Sequence, residues 1–257
     1  MNIFVADVGN SNIVIGLYKD RELQFSSRIP TEIALGTINA LQKAISTALS
    51  AEKINVNIID GAIISSVVPA VNGSLKAAIE NLTGKTCLML DRGMRTNILS
   101  YDYDLQCLGI DRIVDMVAAI DKYGYPVQVF DLGTCTTMSV TDAEGCFRGG
   151  TISAGVQLCL DTMGHKAAQL PPLHAEACTR VIGKDVISCM QNGSIIGTAA
   201  MIDGLILRTK AELQTENITT VLTGGLSELV APHCTQSVRV EKNLLLDGLQ
   251  LLYNMNH

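Results

Sequence analysis

Phe4-Val5-Ala6-Asp7-Val8-Gly9-Asn10-Ser11-Asn12-Ile13-Val14-Ile15-Gly16-Leu17-Tyr18 is the stretch on which the fold turns. It reads as a buried strand, a tight polar turn and a second strand, with a further hairpin at Lys19-Asp20-Arg21-Glu22. Asp7 closes an apolar strand, where a carboxylate is costly unless it meets a cation or hydrogen-bond donors. Gly9 lets the backbone approach a ligand, and Asn10, Ser11 and Asn12 add short polar groups and N–H donors. The set suits a phosphate carried by a divalent metal. Taken alone, it reads equally as a plain Asp/Gly/Asn hairpin turn.

The pattern returns in Val127-Gln128-Val129-Phe130-Asp131-Leu132-Gly133-Thr134-Cys135-Thr136-Thr137-Met138-Ser139-Val140. Asp7 matches Asp131, Gly9 matches Gly133, Asn10 matches Thr134 and Asn12 matches Thr136. A recurrence once per half-chain is too long for a solenoid repeat and points to two related domains, expected at residues 1–122 and 123–257. Two such turns facing across a cleft would grip a polyphosphate from both sides. A third turn, Thr223-Gly224-Gly225, follows an apolar strand and opens a helix, as an adenosine-side loop would.

Bulk properties narrow the classes. With 257 residues, 47% hydrophobic and 17% charged, the chain is globular and can bury a core. A net charge of −6 without any Lys/Arg cluster argues against nucleic acid as a partner. The apolar runs are too short and interrupted to span a membrane, and Asp7 and Asn10 disrupt a signal-peptide pattern. Eight scattered cysteines without a C-x-x-C pair give no zinc pattern and fit a reducing cytoplasm.

Along the chain, Phe25–Pro30 reads as a third strand. Thr31 and Glu32 open a helix through Ile38, Leu41, Ile45 and Leu49. Gly61–Val68 reads as a strand, Val71–Leu82 as a helix and Cys87–Leu90 as a short strand. After the loop holding Tyr101 and Tyr103, a helix starts near Asp111, which sets Asp111 and Arg112 in its first turn. Read by themselves, they are a helix cap with a surface arginine, or a catalytic pair. In the second half, Gly149, Gly150 and Gly155 allow close backbone approach around one strand. Helices are expected over Val156–Leu170, near Ile187–Gln191, over Ile195–Leu213 and over Leu244–Tyr253, with a loop at Pro171-Pro172. The composite is α/β, with mixed sheets and helices packed on them.

With these segments in place, the chain resembles the type III pantothenate kinase family, of the actin-like, ribonuclease H-like superfamily that includes sugar kinases. The resemblance rests on Asp7–Asn12, Ser65-Ser66-Val67-Val68-Pro69, Gly109-Ile110-Asp111-Arg112, Asp131–Thr137, Gly149-Gly150, Thr223-Gly224-Gly225 and Leu246-Asp247-Gly248-Leu249. It implies two actin-like domains with a cleft between them, a homodimer, ATP with Mg²⁺, and a monovalent cation, K⁺ or NH₄⁺. It further implies transfer of phosphate to the primary hydroxyl of pantothenate, the first step towards coenzyme A.

By position, the resemblance makes Asp7, Val8, Gly9, Asn10, Ser11, Asn12, Thr134, Gly224 and Gly225 the ATP-binding residues, with Asp7 also on Mg²⁺, directly or through water. Asp131 would hold the monovalent cation and Asp111 would be the general base. Tyr101, Tyr103, Gly109, Ile110, Asp111, Arg112 and Val186 would line the pantothenate site. Some positions depart from the pattern: Val186 stands where a substrate-contacting threonine is usual, and Asn192-Gly193 replaces Ser-Gly. No proline precedes Gly109. These changes fall on the acceptor and dimer side and keep two other readings in view: a nucleotide-binding accessory protein of the same fold, and a kinase for another small acceptor.

Overall fold

A computed structural model describes residues 1–257. By its internal contacts the chain forms two units, Met1–Asn97 with Asp104–Ala118 and Leu244–His257, and Ile98–Tyr103 with Ala119–Asn243. In the first, strands β1 (Asn2–Val8), β2 (Asn12–Lys19), β3 (Glu22–Pro30), β4 (Gly61–Ser66) and β5 (Cys87–Met89) form one sheet in the order β3-β2-β1-β4-β5. The pairs β1–β2 and β2–β3 are antiparallel, whereas β1–β4 and β4–β5 are parallel.

Strand alternation decides what covers each face. Phe4, Ala6 and Val8 join one core with Leu41, Ile45 and Leu49 of α2 (Ile38–Ala51) and Val71 and Leu75 of α3 (Pro69–Thr83). On the other face Gly16 leaves room for Val5 and for Leu246 of α8 (Leu244–Asn256), each 3.2 Å from where its Cβ would stand.

The second unit repeats the plan. Strands β6 (Val127–Leu132), β7 (Cys135–Thr141), β8 (Phe147–Ala154), β9 (Thr219–Thr223) and β10 (Arg239–Val240) are ordered β10-β9-β6-β7-β8, the first sheet read from its other edge. Even an irregularity recurs: the ladder slips between Leu17 and Tyr18 in one hairpin and between Val140 and Thr141 in the other. Each slip lies just beyond the third residue from the partner of the strand-end aspartate, Val14 for Asp7 and Thr137 for Asp131. The core sets Phe130, Leu132, Met138 and Val140 against Ile195, Ala199, Ile202 and Ile206 of α6 (Val186–Glu212).

Four expectations change. The second turn is one residue shorter: Val8 pairs with Ile13, but Leu132 pairs with Thr136. Gly9 N–H donates to Asn12 O and Gly133 N–H to Cys135 O, so Cys135, not Thr136, is the counterpart of Asn12. The helix expected from Thr31 breaks into α1 (Thr31–Ala34) and α2, because Gly36 interrupts it and the Thr37 side chain caps the new start at Ala40 N–H. The helices expected on either side of Asn192-Gly193 are one, α6; its buried stripe outweighs the roughly 1 kcal/mol that a helical glycine costs. Finally, α8 packs with the first unit, although its place in the sequence assigns it to the second half.

Gly248 shows why α8 docks so closely. A Cβ there would stand 2.2 Å from the backbone oxygen of Val114 in α4 (Ile110–Tyr123). Next to it, Tyr18, fully buried, donates its hydroxyl to Asp247, and burial followed by that carboxylate pushes the phenol well above its ordinary range. Gly248→Ala must separate two helices and is expected to cost about 1–3 kcal/mol of stability in denaturant titration. Gly73→Ala, inside α3 with nothing near its Cβ position, is expected to be neutral or to gain up to about 1 kcal/mol. Equal effects of the two would contradict the packing described.

Candidate active site

In the first unit Asp7 lies one residue from the end of β1, half-buried, and the loop Gly9–Asn12 turns the chain over it. Thr31, 3% exposed, staples this loop. Its hydroxyl donates to Gly9 O (2.8 Å) and its N–H to Ser11 O (3.1 Å). Val8 O accepts from Val67 N–H at 3.0 Å, so the Ser65–Pro69 segment braces the same strand end. Asn10, Ser11 and Asn12 remain exposed. Thr31 was absent from the sequence-derived set; an Asp-x-Gly pattern carries no signal for a staple nineteen residues beyond Asn12.

Further along this unit, Gly109 precedes α4. Asp111 Oδ1 accepts from Arg112 N–H at 2.9 Å, and a Cβ at Gly109 would come within 2.5 Å of that same oxygen. The glycine is therefore required by the carboxylate. Asp111, Gly109 and Ile110 are half-buried, so this carboxylate reaches solvent from the first turn of a helix, where the dipole favours its charge. Arg112 is only 7% exposed and engaged within the fold, which overturns its reading as a surface arginine. A guanidinium is retained at such depth when it is paired.

The second unit brings three turns together. Asp131 sits one residue from the end of β6, and Gly224 (φ 87°) meets it: a Cβ there would stand 2.3 Å from Asp131 Oδ1 and 2.7 Å from the Leu132 backbone. Gly155, buried, donates its N–H to Thr134 O (3.1 Å), and its own Cβ would fall 2.3 Å from Gly133 O. Ser227 donates its hydroxyl to Gly224 O at 2.8 Å, closing the third turn at the start of α7 (Ser227–Val230). Thr134 and Gly225 stay exposed. The arrangement is a cradle of small residues around one carboxylate, in which any side chain at 155 or 224 would collide with backbone.

The aromatic loop belongs to this unit. Tyr103 packs edge-on against Phe147, with ring centroids 5.1 Å apart, and Ser100 Oγ accepts from its N–H and donates to its carbonyl. Tyr101, by contrast, is 83% exposed. Val186 stands apart from these groups, exposed at the first position of α6 after the Asp185 cap.

No group of three or more His, Cys, Asp or Glu side chains is set to hold a metal ion. Asp7 and Asp131 offer oxygen donors singly, at strand ends beside glycine turns. At Asp7 a single carboxylate of this kind fits Mg²⁺, which takes one or two carboxylates and completes its shell with phosphate and water oxygens. All eight cysteines are free thiols, and no helix is long and apolar enough to cross a membrane.

Known proteins share this architecture. The ethanolamine utilization protein EutJ from Carboxydothermus hydrogenoformans superposes with a TM-score of 0.57 at 13% identity, over 98% of this chain and 90% of its own. A ROK family glucokinase from Streptomyces griseus, solved with glucose and AMPPNP, gives 0.55 at 10% identity, over 100% and 99%. At such identities the likeness speaks for the actin-like, sugar-kinase-like fold alone.

Sequence relatives go further. The type III pantothenate kinase of Shouchella clausii is 34% identical over 251 residues, 97% of this chain and 98% of its own. That of Brevibacillus brevis is 34% identical over 255 residues, 99% of each. The sequence model of type III pantothenate kinases matches residues 3–208. With near-complete coverage in both directions, the chain belongs to the type III pantothenate kinase family.

Proposed function

We propose that this protein transfers the γ-phosphoryl group of ATP to the primary hydroxyl of pantothenate, giving 4'-phosphopantothenate and ADP. One observation carries the reading: in a chain matched end to end by that family, Asp111 is held half-buried at a helix start by Arg112 N–H, with Gly109 kept free of a side chain beside it. In the step proposed, Asp111 takes the hydroxyl proton as that oxygen bonds to the γ-phosphorus and the bond to the bridging oxygen of ADP breaks. Phosphoryl transfer asks for placement and charge neutralisation more than for strong base catalysis.

The other residues divide accordingly. Asp7, Val8, Gly9, Asn10, Ser11 and Asn12 bind phosphates in the first unit, and Thr134, Gly224 and Gly225 bind the nucleotide in the second. Mg²⁺ held through Asp7 supplies neutralisation of phosphate charge when bound. Gly109, Ile110 and Arg112 take the acceptor, with Arg112 suited to its carboxylate. Tyr103, fixed on Phe147, is the preset aromatic wall, and Tyr101 is the exposed one; Val186 contributes apolar contact in place of a hydroxyl. In turnover measurements ADP release should require pantothenate, and Asp111→Asn should lower kcat by roughly 10²–10⁴ with ATP affinity retained. Undiminished turnover would remove Asp111 as the base.

The Gly224 cradle supports a monovalent cation at Asp131, since it fixes a half-buried carboxylate at a strand end beside the exposed Thr134 and Gly225. Activity should rise when K⁺ or NH₄⁺ replaces Na⁺, and Asp131→Asn should abolish that difference. Cation indifference of the unaltered protein would exclude the site.

The exposed apolar run Val181, Ile182, Val186 and Ile187, beside open Gly193 and Gly197 on α6, supports a homodimer through this face. Gly197→Arg should convert a dimer in sedimentation equilibrium into a monomer. A monomeric unaltered protein, or a dimer indifferent to the change, would contradict it.

A further inference from the structure

Between α5 (Val156–Lys166) and α6 the chain turns at Ala167–Leu170, runs through residues 171–180 as a strap with no sheet partner, and bends into α6 over residues 181–185. Two glutamines, one from each flanking helix, grip it. Gln157 of α5 donates Nε2–H to Leu173 O (2.9 Å) and accepts at Oε1 from Ala175 N–H (2.9 Å). Gln191 of α6 donates Nε2–H to His174 O (2.6 Å) and accepts at Oε1 from Glu176 N–H (3.1 Å).

The alternation is that of a β-ladder. In an extended chain, residues i and i+2 present their N–H and C=O to one edge and residue i+1 to the other. One amide therefore serves the edge of 173 and 175, and the other serves the edge of 174 and 176. Each side chain does what the peptide of a neighbouring strand would do, and four backbone groups of the strap are satisfied that would otherwise lack protein partners. Asp161 Oδ1 accepts a further hydrogen from Gln157 Nε2 at 2.7 Å, which fixes which end of that amide donates. Gln191 is 8% exposed, so its two bonds are made away from solvent, where leaving one unmade is costly.

Ala175 within the clamp and Cys178 just beyond it pack on the core of the unit. Residues 179–184 then carry Val181 and Ile182 outward before Asp185 caps α6 at Ser188 N–H. A Cβ at Gly183 would stand 2.6 Å from Cys189 N, so the strap returns tightly onto the helix. Gly183, Lys184, Asp185 and Val186, with Met163 and Met190, wall a cavity of about 540 Å³. The clamp fixes the first half of the strap, and Ser188 Oγ, accepting from Lys184 N–H (3.0 Å) and Asp185 N–H (3.1 Å), fixes the other end on α6, so the wall is the far end of a segment held at two anchors.

We propose that Gln157 and Gln191 are positioning residues for the acceptor. Their paired amides set the strap and, through it, the Gly183–Val186 wall against which pantothenate is held. The assignment rests on the kinase reading above and adds to it residues that touch neither substrate.

The test pairs two readouts on Gln191→Met and, as a partly exposed second site, Gln157→Met, substitutions that keep length and apolar stem. Limited trypsin digestion reads the strap directly, through cleavage after Arg180 and Lys184. Steady-state kinetics reads its consequence. Cleavage should accelerate about tenfold and KM for pantothenate should rise about tenfold, with KM for ATP within about twofold of the unaltered enzyme. Gln191→Glu should be worse than Gln191→Met, because it sets a carboxylate against His174 O. Faster cleavage with unchanged KM for pantothenate, equal rises in both KM values, or no change in cleavage would each overturn the assignment while the kinase reading stands. Absence of pantothenate turnover in the unaltered protein would overturn the kinase reading and this assignment with it, even if cleavage accelerates.

Discussion

The Asp131 carboxylate, at the end of a buried strand, leaves room beside it only for glycine, and the candidate site of the second unit is built around that constraint. Asp131 could not keep its place if residue 224 carried a side chain, because a Cβ there would stand 2.3 Å from its oxygen. Asp111 imposes the same demand on Gly109 at 2.5 Å. In each case a half-buried charged group is held in place by a backbone that can approach it only because the side chain is missing. A phosphate-handling site needs that combination, since donors and charges must be in position before the ligand arrives.

The duplicated topology extends the argument. Both sheets carry the strand-end aspartate, a glycine turn and a bulge at the same register, so the two halves solve one folding problem twice. They differ in how each turn is held. The first turn has one more residue and is stapled by Thr31; the second is shorter and is pinned by Gly155 and Gly224. α8 departs from the symmetry by covering the first sheet, anchored by Tyr18 and Asp247 and brought close by Gly248.

Much of this was legible in the sequence because it is local. Strand, turn and strand are written in alternation and in Asp-x-Gly, and a helix start in the apolar face that follows Asp111. What escaped is what packing decides. Gly193 reads as a break, yet the buried stripe of Ile195, Ala199, Ile202 and Ile206 carries the helix through it. The two-residue strand Arg239–Val240 is too short to show a period. Thr31, Gln157 and Gln191 act through hydrogen bonds to backbone distant in sequence, and side-chain chemistry alone does not mark such bonds. The match between Asn12 and Thr136 failed for a related reason: a one-residue difference in turn length is visible only once the strands are paired.

The central claim is that phosphate leaves ATP for a primary alcohol of pantothenate. Phosphorus NMR of the purified protein with ATP, Mg²⁺, K⁺ and pantothenate reads that bond directly. The account predicts a new phosphomonoester resonance, split into a triplet by the two protons of the adjacent methylene, growing in step with ADP. ADP accompanied only by inorganic phosphate, or ATP left unchanged, would contradict it.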